Sequence, residues 1–533
     1  MGIMRASAVM AAGTILSRIL GLAKVVVLAA AIGQTASVSA DAFANGNMLP
    51  NTVYTILLGG MLNAVLVPQI VKAARNPDGG AGYINKVLTF VIVALTAITV
   101  LAMAAAPLLV FLFQMSWSAD QLALSAAFAY WCLPQILFYG VYTVMGEVLN
   151  ARSVFGPYTW APVLNNVISI AGIIAFMAWY GADPTGDRTA ADWTLPGIAL
   201  LAGSATLGVV AQALILFASW RRAGIRYRPD FAWKGMGLGA TAKIASWSLA
   251  MIVVIQIGGW VTSNVVGTAT GAGPSTSALG NAWLVLMLPH SVLAVSLATA
   301  YFTRFSEAGR DGRMDDFRGD FSASVRQVSL VMVLAAAAIF AAASFLSPLI
   351  ERGGPVQVDQ FAFVLQCYVL CLAPFSFLFV VQRSFYALSD TRTPFVFTVV
   401  QQAVFVVLTL LCLFVPLDVR GAAVTVAYSV ATIVQAVLAT VLLRRKIGRI
   451  DGRRVVGSLL RFGIAAVPAA AAGLAVTWLL RSAVPGYGVA QALVFAIAVG
   501  SVVAAVYVVA LVVMRSSEVG EVVSVLRRRL GRG

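Results

Sequence analysis

Long apolar segments alternate with short polar ones along the whole of the 533-residue chain. Most reach about 20 residues, which is the length a helix needs to cross the hydrocarbon core of a bilayer. A β-barrel would instead show segments of about ten residues with alternating polarity. The pattern therefore predicts an all-α polytopic membrane protein with about 14 transmembrane helices. These lie near residues 8–32, 44–70, 86–113, 121–149, 158–180, 194–220, 239–265, 277–303, 323–349, 360–385, 394–416, 420–443, 457–480 and 488–514.

The charges of the connecting segments predict the orientation of these helices. Basic residues collect beside membrane spans on the cytoplasmic side. With the N-terminus inside, every second connection is basic, including "RRAGIRYRPDFAWKG" and "RRKIGRIDGRR". The other connections hold few basic residues and are diluted by aspartates. The chain is thus expected to be a multi-pass protein of the cell membrane with both termini in the cytoplasm.

Composition supports this class and excludes others. The chain is 60% hydrophobic and 11% charged, with a mean hydropathy of +0.92, so soluble domains would expose most of their apolar surface. Its net charge of +16 follows from the basic connections and does not indicate nucleic-acid binding. The four cysteines all lie in apolar segments and are expected to pack as small hydrophobic residues.

An internal repeat predicts the domain organisation. The segment "NARSVFGPYTWAPVLNN" (150–166) resembles "YALSDTRTPFVFTVVQQ" (386–402). Both lead into helices with paired amides, Asn165 and Asn166 in one and Gln401 and Gln402 in the other. The match places the fifth helix over the eleventh, so the repeat unit has six helices and the repeats are parallel. Two such lobes around a central cavity are typical of transporters.

The predicted domains follow from this repeat. They are an N-lobe with the first six helices (1–222), a C-lobe with the next six (223–446), a pair of further helices (447–515) and a basic amphipathic tail (516–533). The tail is expected to lie on the anionic inner leaflet.

The sequence offers little equipment for catalysis. It has one histidine, His290, and no pair of acids within one apolar segment. Metal-ligand spacings, glycine-rich phosphate loops and nucleophile motifs are all missing from it. We therefore expect no enzymatic activity, no catalytic residue, no metal and no cofactor.

The stretch "SRILGLAK" places Arg18 and Lys24 inside the first apolar segment. They lie about 9 Å apart along a helix and about 120° apart around it. A charge at the bilayer centre costs about 2.5–3.5 kcal/mol on insertion scales, which is tolerable if both side chains line a hydrated cavity. The alternative is that Arg18 reaches the headgroups along its own stem. A cationic cavity favours an anion, and arginine and lysine both bind phosphate oxygens.

Other residues are candidates for gating. Asp41, between the first two helices, either pairs with a basic group when an outer gate closes or is a solvated loop acid. Pro50 and Pro289 each interrupt a helix within an "MLP" triplet, and Gly59 and Gly60 follow the first of them. Prolines in spans bend helices. We expect hinges at these positions, although permanently kinked helices would have the same sequence.

These stretches resemble the MurJ/MviN lipid II flippases of the multidrug/oligosaccharidyl-lipid/polysaccharide exporter superfamily. The similarity is carried by "SRILGLAK", "ADAF", "LPN", "WAPVLNN" and "FYALSDTRTPF". It implies a carrier that moves lipid II, an undecaprenyl-pyrophosphate-linked peptidoglycan precursor, from the inner to the outer leaflet by alternating access of the lobes. The last two helices would line a groove for the lipid tail. The substrate-binding residues implied by the resemblance are Arg18, Lys24, Asp41, Asn51 and Tyr54.

The chain also departs from the family. Tyr54 and Leu284 stand where many members have arginine, and Gly59 stands where others have glutamate. The cavity is therefore expected to be less cationic, and acids for a sodium site are missing from the C-lobe helices. Expected partners are lipid II and membrane lipids, with cell-wall synthesis or division proteins left open. Two alternatives remain: an exporter of the same superfamily with another lipid-linked saccharide or a drug as cargo, and a non-transporting scaffold.

Overall fold

The computed structural model describes residues 3–56, 73, 80–152, 154, 156–222, 227–233, 238–448, 450–516 and 518. Within these ranges every long element is a helix. The described residues form two compact units. The first comprises those up to Gly271 together with Ser275–Ser277, and the second comprises the others.

The first unit is built from nine helices of the described chain. They are Ile3–Ile32 (α1), Val38–Tyr54 (α2), Ala81–Ala104 (α3), Ala106–Phe113 (α4), Ala119–Cys132 (α5), Gln135–Ala151 (α6), Gly156–Tyr180 (α7), Leu195–Arg222 (α8) and Leu238–Gly267 (α9). Its main core is formed by large aliphatic side chains of α2, α3, α6 and α8, together with the buried indole of Trp220.

The second unit contains the remaining helices. They are Thr276–Pro289 (α10, whose first two residues belong to the first unit), Val295–Arg310 (α11), Met314–Ile350 (α12), Pro355–Val369 (α13), Leu372–Ala387 (α14), Arg392–Leu411 (α15), Leu417–Ile447 (α16), Gly452–Ala483 (α17) and Val489–Val513 (α18). A π-helical turn, His290–Ala294, joins α10 to α11. The helices α12, α17 and α18 pack through small side chains, and a Cβ on Gly473 would lie 2.7 Å from that of Ala341.

The predicted fold class is confirmed. Thirteen segments of the described residues are long and apolar enough to span a membrane. The predicted span 44–70 begins in α2, but its residues 57–70 lie outside the described ranges. Two of these spans each consist of two consecutive helices. The break between α5 and α6 lies at Leu133 and Pro134, and the break between α13 and α14 lies at residues 370 and 371, shortly before Pro374. Proline lacks the backbone N–H that a continuous helix needs, which explains the break at Pro134.

Irregular positions recur at nearly constant spacing in the two halves of the chain. Pro289 stands 239 residues after Pro50, and Pro374 stands 240 residues after Pro134. Asn165 is the tenth residue of α7 and Gln401 is the tenth residue of α15. This regularity agrees with a parallel repeat. The lobe boundaries at residues 222 and 446 stay predictions.

The helix α9, which the predicted lobes assign to the C-lobe, belongs to the first compact unit. Its Trp260 indole donates to Leu112 O over 2.5 Å, and Asn264 Nδ2 donates to the same oxygen over 2.9 Å. The side chain of Gln114 also donates to Ser263 Oγ, 3.0 Å away. These bonds join α9 to the last turn of α4 and to Gln114 directly after it.

Candidate substrate site

The first helix is held against α7 by small residues and one side-chain amide. Asn166 Nδ2 donates a hydrogen bond to Ser17 O, 2.9 Å away. A Cβ on Gly13 would lie 2.9 Å from the indole of Trp160, and one on Gly21 would lie 3.9 Å from Nδ2 of Asn166. Small residues let helix backbones approach closely inside a membrane. Residues 13, 17 and 21 therefore form the stripe of α1 that contacts α7.

The two cations of α1 occupy different stripes of that helix. Seven residues are nearly two helical turns, so Lys24 lies on the stripe of Ser17, and Arg18 lies on the stripe of the buried Val25. Ile15 and Ile19 are 50% and 59% exposed, and Lys24 lies about 140° around the helix from Ile19. Both cations are half-buried. They are therefore not centred on the exposed apolar surface of α1.

Neither cation has a counter-ion in the part of the chain that the structure describes. Among these residues, Arg18 and Lys24 have no ion pair and no hydrogen bond. Half-buried charges inside an apolar helix are costly without a partner or water. Their arrangement suits an anionic ligand.

Asp41 lies in the first turn of α2 and is completely buried. Its carboxylate accepts hydrogen bonds from Thr270 Oγ1 and from the backbone N–H of Ser277, each over 2.8 Å. The alternative of a solvated loop acid is wrong, because the side chain is buried and bonded to uncharged donors. Pairing with a basic group when an outer gate closes stays a prediction. A carboxylate can be buried when hydrogen bonds satisfy its oxygens. Its direct role in substrate binding stays a prediction.

The last two predicted binding residues lie on α2. Asn51 is exposed, and Tyr54 is half-buried with its hydroxyl 2.8 Å from Thr143 Oγ1 on α6. The ring of Tyr54 also lies 5.8 Å from that of Tyr139. Tyr54 therefore offers a hydroxyl and an aromatic face. Many members of the family that the sequence resembles have a charged arginine at this position.

A row of polar side chains on α6 was missed by sequence reasoning. Gln135, Tyr139, Thr143 and Glu147 recur every fourth residue and so lie along one side of the helix. Gln135 Nε2 donates to Asn47 Oδ1 on α2 over 3.2 Å and to Thr206 Oγ1 on α8 over 2.9 Å. The hydroxyl of Tyr139 donates to Gln135 Oε1 over 2.8 Å. The spacing of four within an apolar segment was the available signal.

Four helices of the first unit, α1, α2, α6 and α7, form a ring in which each contacts the next. The helix α1 contacts α7 and α2, and α2 contacts α6. The helices α6 and α7 meet where the rings of Tyr142 and Tyr158 stack, with centroids 4.8 Å apart. The Tyr142 hydroxyl also donates to Tyr158 O over 3.0 Å. Cations on α1 and neutral polar groups on α2 and α6 are thus carried by one set of adjacent helices.

The candidate hinges differ in their local structure. The helix α2 continues through Pro50 to Tyr54, so it is not interrupted at the proline. By contrast, α10 ends at Pro289 and is followed directly by the π-helical turn. Gly59 and Gly60 lie outside the described residues. Motion at any of these positions stays a prediction.

Comparison with solved structures defines the class of the protein. The chain is similar to a structure of the lipid II flippase MurJ in an inward closed conformation, with a TM-score of 0.72 and 19% identity over 98% of this chain and 99% of that one. It is also similar to an inward-facing multidrug resistance MATE family transporter of the MOP superfamily, with a TM-score of 0.65 and 15% identity over 82% of this chain and 96% of that one. The fold is that of this transporter superfamily.

Sequence comparison then gives the family. The sequence model of "Lipid II flippase MurJ" matches residues 28–517. A probable lipid II flippase MurJ of Rhizobium meliloti is 29% identical over 91% of this chain and 89% of its own length. One of Haemophilus influenzae is 28% identical over 72% of this chain and 75% of its own length. The chain belongs to the MurJ lipid II flippase family. It is therefore a membrane transporter of peptidoglycan synthesis and not an enzyme.

The family match does not reach all the predicted site residues. It begins at residue 28 and so includes Asp41, Asn51 and Tyr54, whereas Arg18 and Lys24 precede it. The role of the two cations depends on their own geometry and on the resemblance of the "SRILGLAK" stretch.

Proposed function

We propose that this protein moves lipid II from the inner to the outer leaflet of the cell membrane, and that Arg18 and Lys24 bind the pyrophosphate of the substrate. The observation that carries the site is that both cations are half-buried in α1 and have no counter-ion among the described residues. A pyrophosphate supplies the missing negative charge, with Arg18 offering a planar fork of donors and Lys24 a compact charge.

The neutral polar groups of α2 and α6 suit the rest of the headgroup. Asn51 is exposed, and Tyr54 presents a ring beside that of Tyr139. Amides and hydroxyls hydrogen-bond to saccharide hydroxyls, and aromatic faces pack on apolar surfaces. We assign these groups to the saccharide, while the polyprenyl tail stays in lipid beside α17 and α18.

Transport follows from alternating access of the predicted lobes 1–222 and 223–446. Both termini lie in the cytoplasm, as the basic connections indicate. Candidate hinges are Pro50, Gly59, Gly60 and Pro289. The membrane potential can contribute to the driving force, because each charge moved through 100 mV is worth about 2.3 kcal/mol.

Reconstituted protein tests this proposal. Purified protein is placed in vesicles with fluorescent lipid II, and transfer between leaflets is followed with a quencher that does not cross the membrane. Wild-type protein is expected to move lipid II. Arg18→Gln and Lys24→Gln are each expected to slow transfer about 10-fold or more, since a hydrogen bond to a charged group contributes about 1.5–3 kcal/mol. Arg18→Lys and Lys24→Arg should keep most of the rate.

A control variant, and a second substrate besides lipid II, distinguish a lipid II flippase from a broader flippase and from a scaffold. Ile19→Gln adds an amide to the exposed stripe of α1 and should leave transfer nearly unchanged. Equal transport of another polyprenyl-pyrophosphate saccharide would indicate a broader flippase, and no transport by wild-type protein would indicate a scaffold. Wild-type rates in both neutral variants would remove the pyrophosphate site.

A further inference from the structure

His290 lies where a helix of the second unit changes its winding. The helix α10 ends at Pro289, and residues 290–294 form a π-helical turn before α11 begins at Val295. The backbone N–H of Val295 donates to His290 O, five residues earlier. Such π-helical turns are rare and are frequently found at functional sites. The histidine therefore occupies the first position of an irregular joint within a membrane-spanning segment.

The side chain of His290 is 5% exposed and has a specific polar neighbour. Its Nδ1 lies 2.8 Å from Ser376 Oγ on α14. The rings of Phe375 and Phe379, also on α14, lie 4.8 Å and 5.3 Å from the imidazole and meet it at steep angles. The imidazole thus contacts a hydroxyl and two phenyl rings of α14.

Ionisable side chains occur on every helix that contacts this turn. The turn contacts α11, α12 and α14. On α11 they are Tyr301, Arg304, Glu307 and Arg310, and on α12 they are Asp315, Asp316, Arg318, Asp320 and Arg326. Arg383 and Tyr386 lie on α14, and Cys371 directly precedes that helix. The helix α10 carries none.

Among these groups, Arg383 shares an aromatic neighbour with His290. Its guanidinium lies 5.0 Å from the ring of Phe379 and 5.1 Å from that of Phe302 on α11. The two side chains therefore contact the same phenyl ring. Arg304 and Arg326 are paired with Asp320 and Glu518, so their charges are compensated. The imidazole therefore lies among aromatic side chains, one of which also contacts a cation.

We infer that His290 is a proton-binding site and that its protonation changes the bend between α10 and α11. An imidazole accepts a proton near neutral pH, and ionisable residues inside membrane segments commonly form proton relays or ion sites. Protonation makes both ring nitrogens donors, so Ser376 Oγ must accept. The added charge is disfavoured beside two phenyl rings, one of which also contacts the guanidinium of Arg383. The π-helical turn is the adjacent element that can rearrange and admit water.

The chain allows this site to be observed directly, because it contains a single histidine. Protein carrying ¹⁵N-labelled histidine and a purification tag without histidine gives ring-nitrogen signals from His290 alone. We expect these signals to report a change of protonation within the range in which an imidazole ordinarily changes charge, about pH 5 to 8. Ser376→Ala removes the hydroxyl partner and should change the proton affinity about three- to tenfold. Hydrogen exchange of the backbone amides at 290–295 should change with the same midpoint.

A variant that cannot be protonated separates the site from general pH effects. His290→Gln keeps an amide that can bond to Ser376, and it should abolish the pH-dependent exchange at 290–295. Ring nitrogens that keep one protonation state from pH 5 to 8 would overturn the inference, and so would exchange that is independent of pH in wild-type protein. Neither measurement needs a substrate, so this result is independent of the transport assay. If His290→Gln does not fold, the titrations of wild-type protein and of Ser376→Ala still decide.

Discussion

The side-chain amide of Asn166 donates to the backbone oxygen of Ser17 over 2.9 Å, so a residue near the middle of α7 contacts α1 directly before Arg18. This bond fixes the rotation of α1 at the position that matters for its charges. Asn166 is one of the paired amides that the internal repeat singled out, and the neighbouring Asn165 bonds instead to Gln212 Oε1 on α8 over 2.8 Å. The paired amides therefore hold α7 to helices on either side of it.

The first prediction concerns this contact. Asn166→Leu removes the bond while leaving Arg18 and Lys24 in place. We expect lipid II transfer to slow about 5-fold, because one hydrogen bond contributes about 1 kcal/mol. Transfer rates in vesicles, at equal amounts of folded protein, measure the effect. Arg445→Gln, a change in the exposed last turn of α16, serves as the control. Wild-type transport by Asn166→Leu would show that α1 does not need this bond for its position.

The helices were predictable from the sequence because their signal is strong and local. An apolar segment of about 20 residues can satisfy its backbone in lipid only as a helix. The breaks inside spans were less visible. Pro134 marks one, but the π-helical turn after Pro289 depends on how residues 290–294 pack against α14. A proline shows that a helix will be disturbed and does not show how.

The candidate site was predictable only in part. Arg18 and Lys24 stand out because charge is rare in an apolar helix, and the spacing of four along α6 was present in the sequence. The partners of Asp41 were not predictable, since Thr270 and Ser277 lie 229 and 236 residues further along the chain. The same holds for the pair Arg326 and Glu518, which are separated by 192 residues. Contacts at such separations depend on the tertiary fold.

The second prediction concerns the packing of α2 on α5. A Cβ on Gly46 would lie 3.0 Å from Ala129 N and 3.1 Å from Ser125 O, both backbone atoms of α5. Gly46→Leu must therefore separate the two helices, and overpacking of this kind costs about 1–3 kcal/mol or more. We expect a lower thermal unfolding midpoint in detergent. Gly259→Leu is the matched control, because a Cβ on Gly259 has no neighbour within 4 Å. Equal midpoints for the two variants would contradict the close packing.

The third prediction concerns the end of the chain that was expected to form a surface tail. Glu518 is buried, and its carboxylate accepts from Arg326 Nη1 over 2.5 Å, from Ser458 Oγ over 2.8 Å and from Ser516 Oγ over 2.7 Å. Residues 516 and 518 are thus packed against α12 and α17. Arg326→Met leaves a buried carboxylate unpaired, which costs about 3–5 kcal/mol. Glu518 should then leave its site, and trypsin should cleave after Arg515 at least 10-fold faster.

The same anchor gives a pH dependence. Burial alone raises the pKa of Glu518, but the hydrogen bonds from Arg326, Ser516 and Ser458 outweigh it and lower that pKa to about 2. A lowered pKa stabilises the folded state above the ordinary carboxyl range, and this contribution is lost as the pH falls toward 2. An acid-tolerant protease should find the 515–516 bond protected at pH 5 in wild-type protein. The double variant Arg326→Met with Glu518→Met should recover protection, and cleavage of the single variant Arg326→Met at the wild-type rate would refute the anchor.

The fourth prediction concerns Asp41. Replacing it with leucine removes the bond that Thr270 donates to the carboxylate and leaves the N–H of Ser277 without its acceptor, and an unsatisfied buried group costs about 1–3 kcal/mol. We expect Asp41→Leu to lower the unfolding midpoint clearly and Asp41→Asn, which keeps one acceptor oxygen, to lower it less. Asp120→Leu replaces an exposed aspartate and is the control. An Asp41→Leu protein as stable as wild type would mean that these bonds contribute nothing to folding.

The central claim, that the cations of α1 face a hydrated site for a pyrophosphate, is tested most directly by cysteine accessibility. Lys24→Cys is made on a background without the four native cysteines and is treated with a charged, water-soluble thiol reagent, with Ile15→Cys as the position on the exposed apolar stripe. The account predicts that Cys at position 24 reacts, that lipid II slows this reaction, and that Cys at position 15 stays unmodified. Reaction at position 15 with none at position 24, or no protection by lipid II, would contradict it.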